Sequence, residues 1–316
     1  MPPLTAPPNL PALVRDAFIR AQGSGDLIYY PTQVAIVTIG SLTFQLRYSP
    51  ALAQKPKPPK PVEPNARPFN PFENPSPALL VAQLPPSHRL ILNKFAIVPE
   101  HFILATRDFK PQTHLLEPGD IDAAYACVQA YRSADQDLFV FFNSGDHSGA
   151  SQPHRHLQLL PVDCMKLGLE NTENGSEWAI LADKVHGNQE ALPFTVFTSP
   201  ISAEMSAEDR HLAYLSLYKR AVHAAMTNVE AVDEGEAQIS YNFAMTNTCM
   251  ALCPRTAEGT AVKDSSGNKI GDVSLNGTVL AGTALVKNQA EWDALRTNTD
   301  MLHGVLEGIG IPSKMV

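Results

Sequence analysis

Strand-like runs follow one another along this chain with little helix between them, and that order limits the fold more than any single motif does. "QVAIVTI" and "LTFQLRYS" meet around Gly40 and Ser41 in a hairpin pattern. "HRLILNKF" and "HFILATRDF" are joined only by "AIVPE". "DLFVFFNSG" leads through a short loop to "HRHLQLLPV", which Pro161 ends. "LPFTVFTS", the hairpin-like pair "AQISYNFAMT" and "TCMALCPR", and a last run "TVLAGTALVKN" complete the set. Parallel neighbours need crossovers of about a dozen residues or more, usually helical. Most of these connections hold no helix. The pattern predicts an α+β fold, with a mostly antiparallel sheet and packed helices, and argues against a doubly wound parallel one.

Helical spacing marks the segments left over. Leu10, Leu13, Val14, Ala17 and Phe18 share one side of a first helix, with Gly23 and Gly25 as its stop. Pro118 to Arg132 forms a second, with Asp120 in the first turn, where a carboxylate suits the helix dipole. Ser206 caps a long helix whose apolar side holds Leu212, Leu215, Leu217, Tyr218, Val222 and Ala225. "QAEWDALRTNTDMLHGVLEGIG" reads as one closing helix. A chain of 316 residues is long enough for one large domain or two modest ones, and residues 1–316 are expected to form one.

Residues 50–87 differ in composition. They are dense in proline, with Lys55, Lys57 and Lys60 in their first half. No regular helix or central strand holds so many prolines. The segment therefore reads as an extended loop, and Phe69 and Phe72 of "FNPFENP" are expected to pin its far end to the core.

Hydrophobic residues make up 44% of the chain and charged ones 18%, ordinary for a globular protein. The formal charge of −8 leaves no global basic footprint, so nucleic acid is not an expected partner. A local basic pocket could still hold a polyphosphate. The four cysteines, Cys127, Cys164, Cys249 and Cys253, include no C-x-x-C pair and read as reduced, structural thiols. No stretch approaches a membrane span or a signal peptide, so the expected setting is the cytoplasm, with the nucleus a second compartment open to it and no membrane partner.

The chemistry concentrates in "NSGDHSGASQPHRHLQLLP", Asn143 to Pro161. On a strand, residues two apart share a face, so His154, His156 and Gln158 point one way and Arg155, Leu157 and Leu159 the other. Polar groups buried together need partners, at about 1–3 kcal/mol for each one left unpaired. Ahead of them, Asn143, Ser144, Gly145, Ser148, Gly149, Ser151 and Gln152 can offer backbone N–H groups and hydroxyls to phosphate oxygens. This is no Walker loop, because G-K-[ST] is absent. Three readings stand at this point. The histidines are satisfied core residues; or His147, His154 and His156 hold a metal; or one imidazole, neutral near pH 7, attacks phosphorus while neighbouring donors stabilise the oxygens.

These residues resemble the active-site segment of the diadenosine tetraphosphate phosphorylase (ATP adenylyltransferase) family, a branch of the histidine-triad superfamily. "LILNKFAIVPEHFILATRDF", "SYNFAMTNTCMALCPR" and "LNGTVLAGTALVK" resemble further segments of that family in order and spacing. The likeness runs from about residue 30 to the C-terminus. It implies a histidine-triad/uridylyltransferase-like fold, with His156 as the nucleophile that takes up AMP and the backbone carbonyl of His154 orienting it. Gln158 would bond the α-phosphate or bridging oxygen. Asn143, Gly149, Ala150, Ser151 and Gln152 would hold phosphate and ribose. Asn93 and Lys94 would contact the nucleotide, Lys55 the polyphosphate, and Asn276, Gly277 and Lys287 the remaining part. The implied reaction cleaves diadenosine tetraphosphate with phosphate to ATP and ADP, reversibly. Its partners would be diadenosine polyphosphates, ATP, ADP and phosphate, with no resident metal or cofactor beyond a divalent cation such as Mg travelling with the nucleotide. The alternatives are a hydrolase of the same superfamily and a non-catalytic nucleotide-binding protein. Pro153 stands where relatives commonly carry an acidic residue, and "LNGT" departs from the usual serine-containing version. The cysteine-containing metal motif of the related uridylyltransferases is absent.

Overall fold

The run LFVFFNS forms a strand, Leu138–Ser144, buried along its whole length. Leu138, Val140 and Phe142 enter one hydrophobic cluster, while Phe139 and Phe141 enter another on the opposite face. A fully buried side chain of this size contributes roughly 1.5–3 kcal/mol. A one-residue slip would exchange the two sets, so packing fixes the register. The alternation carries Asn143 to the Phe139/Phe141 face, and the candidate site develops on that face.

The computed structural model describes residues 4–51, 69–186, 192–264 and 266–313. In chain order the strands are β1 (Ile28–Tyr29), β2 (Gln33–Ile39), β3 (Leu42–Tyr48), β4 (Leu80–Leu84), β5 (His88–Leu92), β6 (Phe95–Ala96), β7 (Phe102–Thr106), β8 (Leu138–Ser144), β9 (His156–Pro161), β10 (Phe197–Pro200), β11 (Ser240–Met245), β12 (Cys249–Arg255), β13 (Gly259–Lys263), β14 (Lys269–Ser274) and β15 (Thr283–Val286). The helices are α1 (Leu10–Ser24), α2 (Pro118–Arg132), α3 (Val162–Lys166), α4 (Leu181–Lys184), α5 (Ala207–Ala225), α6 (Gln289–Thr297) and α7 (Thr299–Ile309). Eight strands make one sheet, in the order β10-β12-β11-β8-β9-β7-β5-β4, and every neighbouring pair in it is antiparallel. Helices α1, α2 and α5 cover one face. The smaller sheet β15-β3-β2, with α6 and α7, covers the other. Among the described residues, parallel pairing is confined to β15 with β3 and to the short pair β1 with β6.

Local chemistry explains the helix starts. Pro118 opens α2 behind a capping box between Glu117 and Asp120, and Ser206 and Asp209 form the same box at α5. Among the described residues no helix is long and apolar enough to cross a membrane. All four cysteines are free thiols. Cys127, Cys249 and Cys253 are buried, and burial pushes each of them up to about 12.

Several expectations need correction. The loop read over 50–87 contains β4, which pairs antiparallel with β5 as the outer strand of the sheet. Prolines flank that strand without interrupting it, and an edge strand tolerates such neighbours. Phe72 is buried as expected, but Phe69 is exposed. The strand carrying the paired histidines begins at His156, and His154 makes only an isolated bridge to Pro111. "LPFTVFTS" shortens to β10. Leu212 and Ala225 of α5 are exposed, because the face that packs is centred on Tyr214, Leu217, Tyr218 and Ala221. In "TVLAGTALVKN" only Thr283–Val286 is strand, and the residues before it form a 3-10 turn, Gly277–Ala281. The closing helix breaks at Asn298, whose side chain accepts from the Asp300 amide and caps α7. The hairpin β13–β14 was not anticipated; its sequence lacks a continuous apolar run.

Candidate active site

His156 opens β9, opposite Ala105 of β7. Its Nδ1 lies 2.8 Å from the backbone carbonyl of His154. A carbonyl only accepts, so Nδ1 carries the proton and Nε2 keeps its lone pair. The imidazole is buried, and burial lowers its pKa to about 4, so it is neutral at physiological pH. The Phe72 ring lies against it, with centroids 4.7 Å apart. This is the form and tautomer a nucleophilic histidine requires.

His154 is placed differently. Its Nε2 donates to the backbone oxygen and the hydroxyl oxygen of Thr106, both at 2.9 Å. Its Nδ1 accepts from Asn70 Nδ2 at 2.8 Å. Both ring nitrogens are therefore engaged, and the part of His154 that meets His156 is its carbonyl. Phe72 and Phe109 pack edge-on against the same ring.

Where the strands separate, a side chain takes over. Pairing between β8 and β9 runs from Leu138–Pro161 to Phe141–Gln158 and stops there. Beyond it, the buried Gln112 accepts from the His156 amide at 2.8 Å. Its Nε2 donates to the carbonyls of Asn143 at 2.8 Å and His156 at 3.2 Å. One primary amide thus replaces the missing ladder beside the His156 imidazole, satisfying backbone groups that would otherwise be buried unpaired.

Asn143 gathers the far part of the chain. Its Oδ1 accepts from Asn242 Nδ2 and from the Gly277 amide, both at 2.9 Å. Asn242 Nδ2 also donates to the Ser148 carbonyl at 2.9 Å, and Arg255 donates to Asn242 Oδ1. The buried Arg255 holds the carbonyls of Ile309, Ala257, Glu258 and Leu275 as well. The 145–149 loop is thereby tied to the sheet. Gly149 has φ +80°, and a Cβ there would lie 2.8 Å from Asn276 Cβ. A Cβ on Gly277 would lie 2.6 Å from the Phe141 ring. Glycine is needed at both positions for the loop and the 3-10 turn to close on the sheet. The Ser148 hydroxyl is engaged within the loop: it is buried, donates to the Gly145 carbonyl at 2.6 Å and accepts from the Ala150 amide at 3.3 Å.

The fold thus gathers His154, His156, Gln158 and Asn143 on one side of the sheet, with Gly149, Asn276 and Gly277 against Asn143. Ala150 and Ser151 are exposed, and Gln152 is half-buried on the crest of the same loop. Asn93 is connected to Gln158 through His101. Lys94 and Lys287 are exposed and, among the described residues, make no hydrogen bond or ion pair with the histidine cluster. Lys55 lies outside the described residues. His147 is exposed, with its backbone amide donating to Ser240. Among the described residues no group of three or more His, Cys, Asp and Glu gathers in a way that could hold a metal.

Sequence reading missed Gln112, Asn242, Arg255 and His101 as parts of the site. A signal for three of them was present: "SYNFAMTNTCMALCPR" contains both Asn242 and Arg255, and "LILNKFAIVPEHFILATRDF" contains His101. Gln112 carries no local signal, because its partner His156 is 44 residues away.

Comparison with known proteins agrees with this architecture. The family model of the Ap4A phosphorylase N-terminal domain matches residues 2–171, and that of the ATP adenylyltransferase C-terminal domain matches residues 190–312. Strands from both spans enter the eight-stranded sheet, with β8 and β11 as the seam. The chain is 28% identical to diadenosine 5',5'''-P1,P4-tetraphosphate phosphorylase 2 of Saccharomyces cerevisiae, over 96% of its own length and 95% of that relative's. It is 26% identical to Protein APA1 of the same yeast, over 98% and 97%. The crystal structure of yeast Ap4A phosphorylase Apa2 superposes with a TM-score of 0.75 at 25% identity, covering 96% of this chain and 95% of that one. Fold and site define a nucleotide-handling transferase. The chain belongs to the Ap4A phosphorylase family.

Proposed function

We propose that this protein cleaves diadenosine tetraphosphate with inorganic phosphate to ATP and ADP, reversibly, through an adenylyl group carried on His156. Family membership and the named yeast relatives support the phosphorolysis. Yeast Apa2 has also been crystallised in complex with Ap4A. The observation that carries the covalent route is the His156 imidazole, buried and neutral, with Nδ1 spent on the His154 carbonyl and Nε2 left as a lone pair.

In the first step His156 Nε2 attacks the α-phosphorus. A P–N bond forms, the bridging P–O bond breaks, and ATP leaves. In the second, a phosphate oxygen attacks the same phosphorus, releasing ADP and regenerating the imidazole. Gln158, two residues along the strand, supplies a donor where charge develops on the phosphoryl oxygens, and the 149–152 loop, whose Ala150 amide is already engaged by Ser148 Oγ, is the candidate for others. The His-x-His-x-Gln order, with His154 just ahead of β9 and His156 and Gln158 on it, supports placement in the histidine-triad superfamily.

Product analysis with and without phosphate tests this reading. With phosphate, ATP and ADP should appear in equal amounts. Without it, turnover should stop, and intact-mass spectrometry should show an AMP adduct that phosphate discharges. AMP released steadily without phosphate would mean a hydrolase, and binding without turnover would mean a nucleotide-binding protein. A second consequence concerns pH. Because burial holds His156 down to about 4, the acid limb of kcat/KM is expected near that value. An acid limb near the ordinary histidine range of about 6.5 would contradict a buried, neutral nucleophile.

A further inference from the structure

We propose that Asn93 and His101 are positioning residues that fix the side-chain amide of Gln158, so that its NH2 group faces the transferring phosphoryl group. This rests on the function proposed above but uses none of its steps as evidence. The relay starts at a backbone group. The Phe95 amide donates to Asn93 Oδ1 at 3.0 Å, which fixes which end of the Asn93 amide is oxygen. Its other end, Nδ2, lies 3.1 Å from His101 Nδ1. An amide NH2 only donates, so His101 Nδ1 accepts. A neutral imidazole with an accepting Nδ1 carries its proton on Nε2, and that nitrogen lies 2.6 Å from Gln158 Oε1. Gln158 therefore turns its carbonyl to His101, and its NH2 is left over. Among the described residues that NH2 has no hydrogen-bond partner, and Gln158 is only half-buried.

The direction matters because a phosphoryl oxygen only accepts. With the amide turned over, Gln158 would present a second acceptor to it, and the electrostatic contribution would change sign. An isolated glutamine rotates its terminal torsion with little preference. Here His101, 7% exposed and held among the described residues by Asn93, removes that freedom. The Asn93 backbone amide also donates to the His101 carbonyl at 2.9 Å, so the two residues are joined at both backbone and side chain. Asn93 accordingly acts on the site from behind Gln158.

Two measurements on the full-length protein decide this. Nitrogen-15 NMR of histidine-labelled protein should show His101 as the Nε2–H tautomer, and an Nδ1–H tautomer overturns the relay. Kinetically, Gln158→Ala should lower kcat by about 100-fold. His101→Ala should lower it by about tenfold, with the nucleotide KM almost unchanged. The double variant should fall no further than Gln158→Ala alone, because both changes remove one arrangement. Losses that multiply overturn the proposal, as does an Asn93→Ala variant that raises KM while keeping kcat. His101→Gln, which can still donate to Gln158 Oε1, should recover part of the kcat lost in His101→Ala; no recovery counts against the relay. A parent protein without turnover would sink the proposed function, yet the NMR measurement would still decide the relay.

Discussion

His156→Ala is expected to remove turnover of diadenosine tetraphosphate, by about 10⁴-fold or more, without unfolding the protein. The loss is large because the substitution deletes the atom that bonds to phosphorus. Folding should survive, because the backbone groups of residue 156 are held by Gln112 and not by the imidazole. The truncation does leave a cavity beside Phe72, with a stability cost of a few kcal/mol at most. Steady-state rates, together with intact-mass analysis for the absent AMP adduct, check both halves. Activity within about tenfold of the parent would exclude His156 as nucleophile.

Asp120→Ala is expected to cost about 3–5 kcal/mol of stability, the largest effect among substitutions outside the site. Arg155, immediately before β9, turns to Asp120 and Glu117 and is 2% exposed. It donates to Asp120 Oδ2 and Glu117 Oε1, both at 2.8 Å, while His88 Nε2 lies 2.8 Å from Asp120 Oδ1. Burial alone would push the Asp120 carboxyl up. The His88 hydrogen bond and the Arg155 charge outweigh it and hold the group below the ordinary aspartate value. Such a contribution is complete above the unfolded pKa and is lost as pH falls through the lower folded one. Removing the carboxylate leaves a buried guanidinium with only the half-exposed Glu117 beside it. Urea unfolding of both proteins at neutral pH reads the difference, and a loss below about 1 kcal/mol would show that the buried pair contributes little. Arg155 lies between His154 and His156 in sequence, so the folded fraction of the variant should also show reduced kcat.

Much of the fold was legible because its signals are local. Helix α2 falls where proline, a first-turn aspartate and apolar spacing put it, from Pro118 to Arg132. The buried strand-like run "DLFVFFNSG" is β8, Leu138–Ser144. The errors lie where two tendencies are balanced. "TNTD" sits within a helical pattern, and only the Asn298 cap on α7 ends the first helix there. "ALLVAQL" reads as strand by itself, but the surrounding prolines outweighed it, and pairing with β5 settled it. Leu212 fits the apolar spacing of α5 yet faces outward, because the Tyr214–Tyr241 contact sets which side packs.

By itself, the sequence determined that His154, His156 and Gln158 share a face, with Arg155 opposite. It also determined that a glycine- and serine-bearing loop precedes them. Those facts follow from a period of two and from residue chemistry, which act over a few bonds. Only the tertiary structure decided that the His154 ring is already engaged, that Gln112 bridges the split strands, and that Asn143 meets Asn242 and Gly277, 99 and 134 residues away. A hydrogen bond between distant segments leaves no periodic trace in either one. It exists only once the sheet register has brought donor and acceptor within 3 Å.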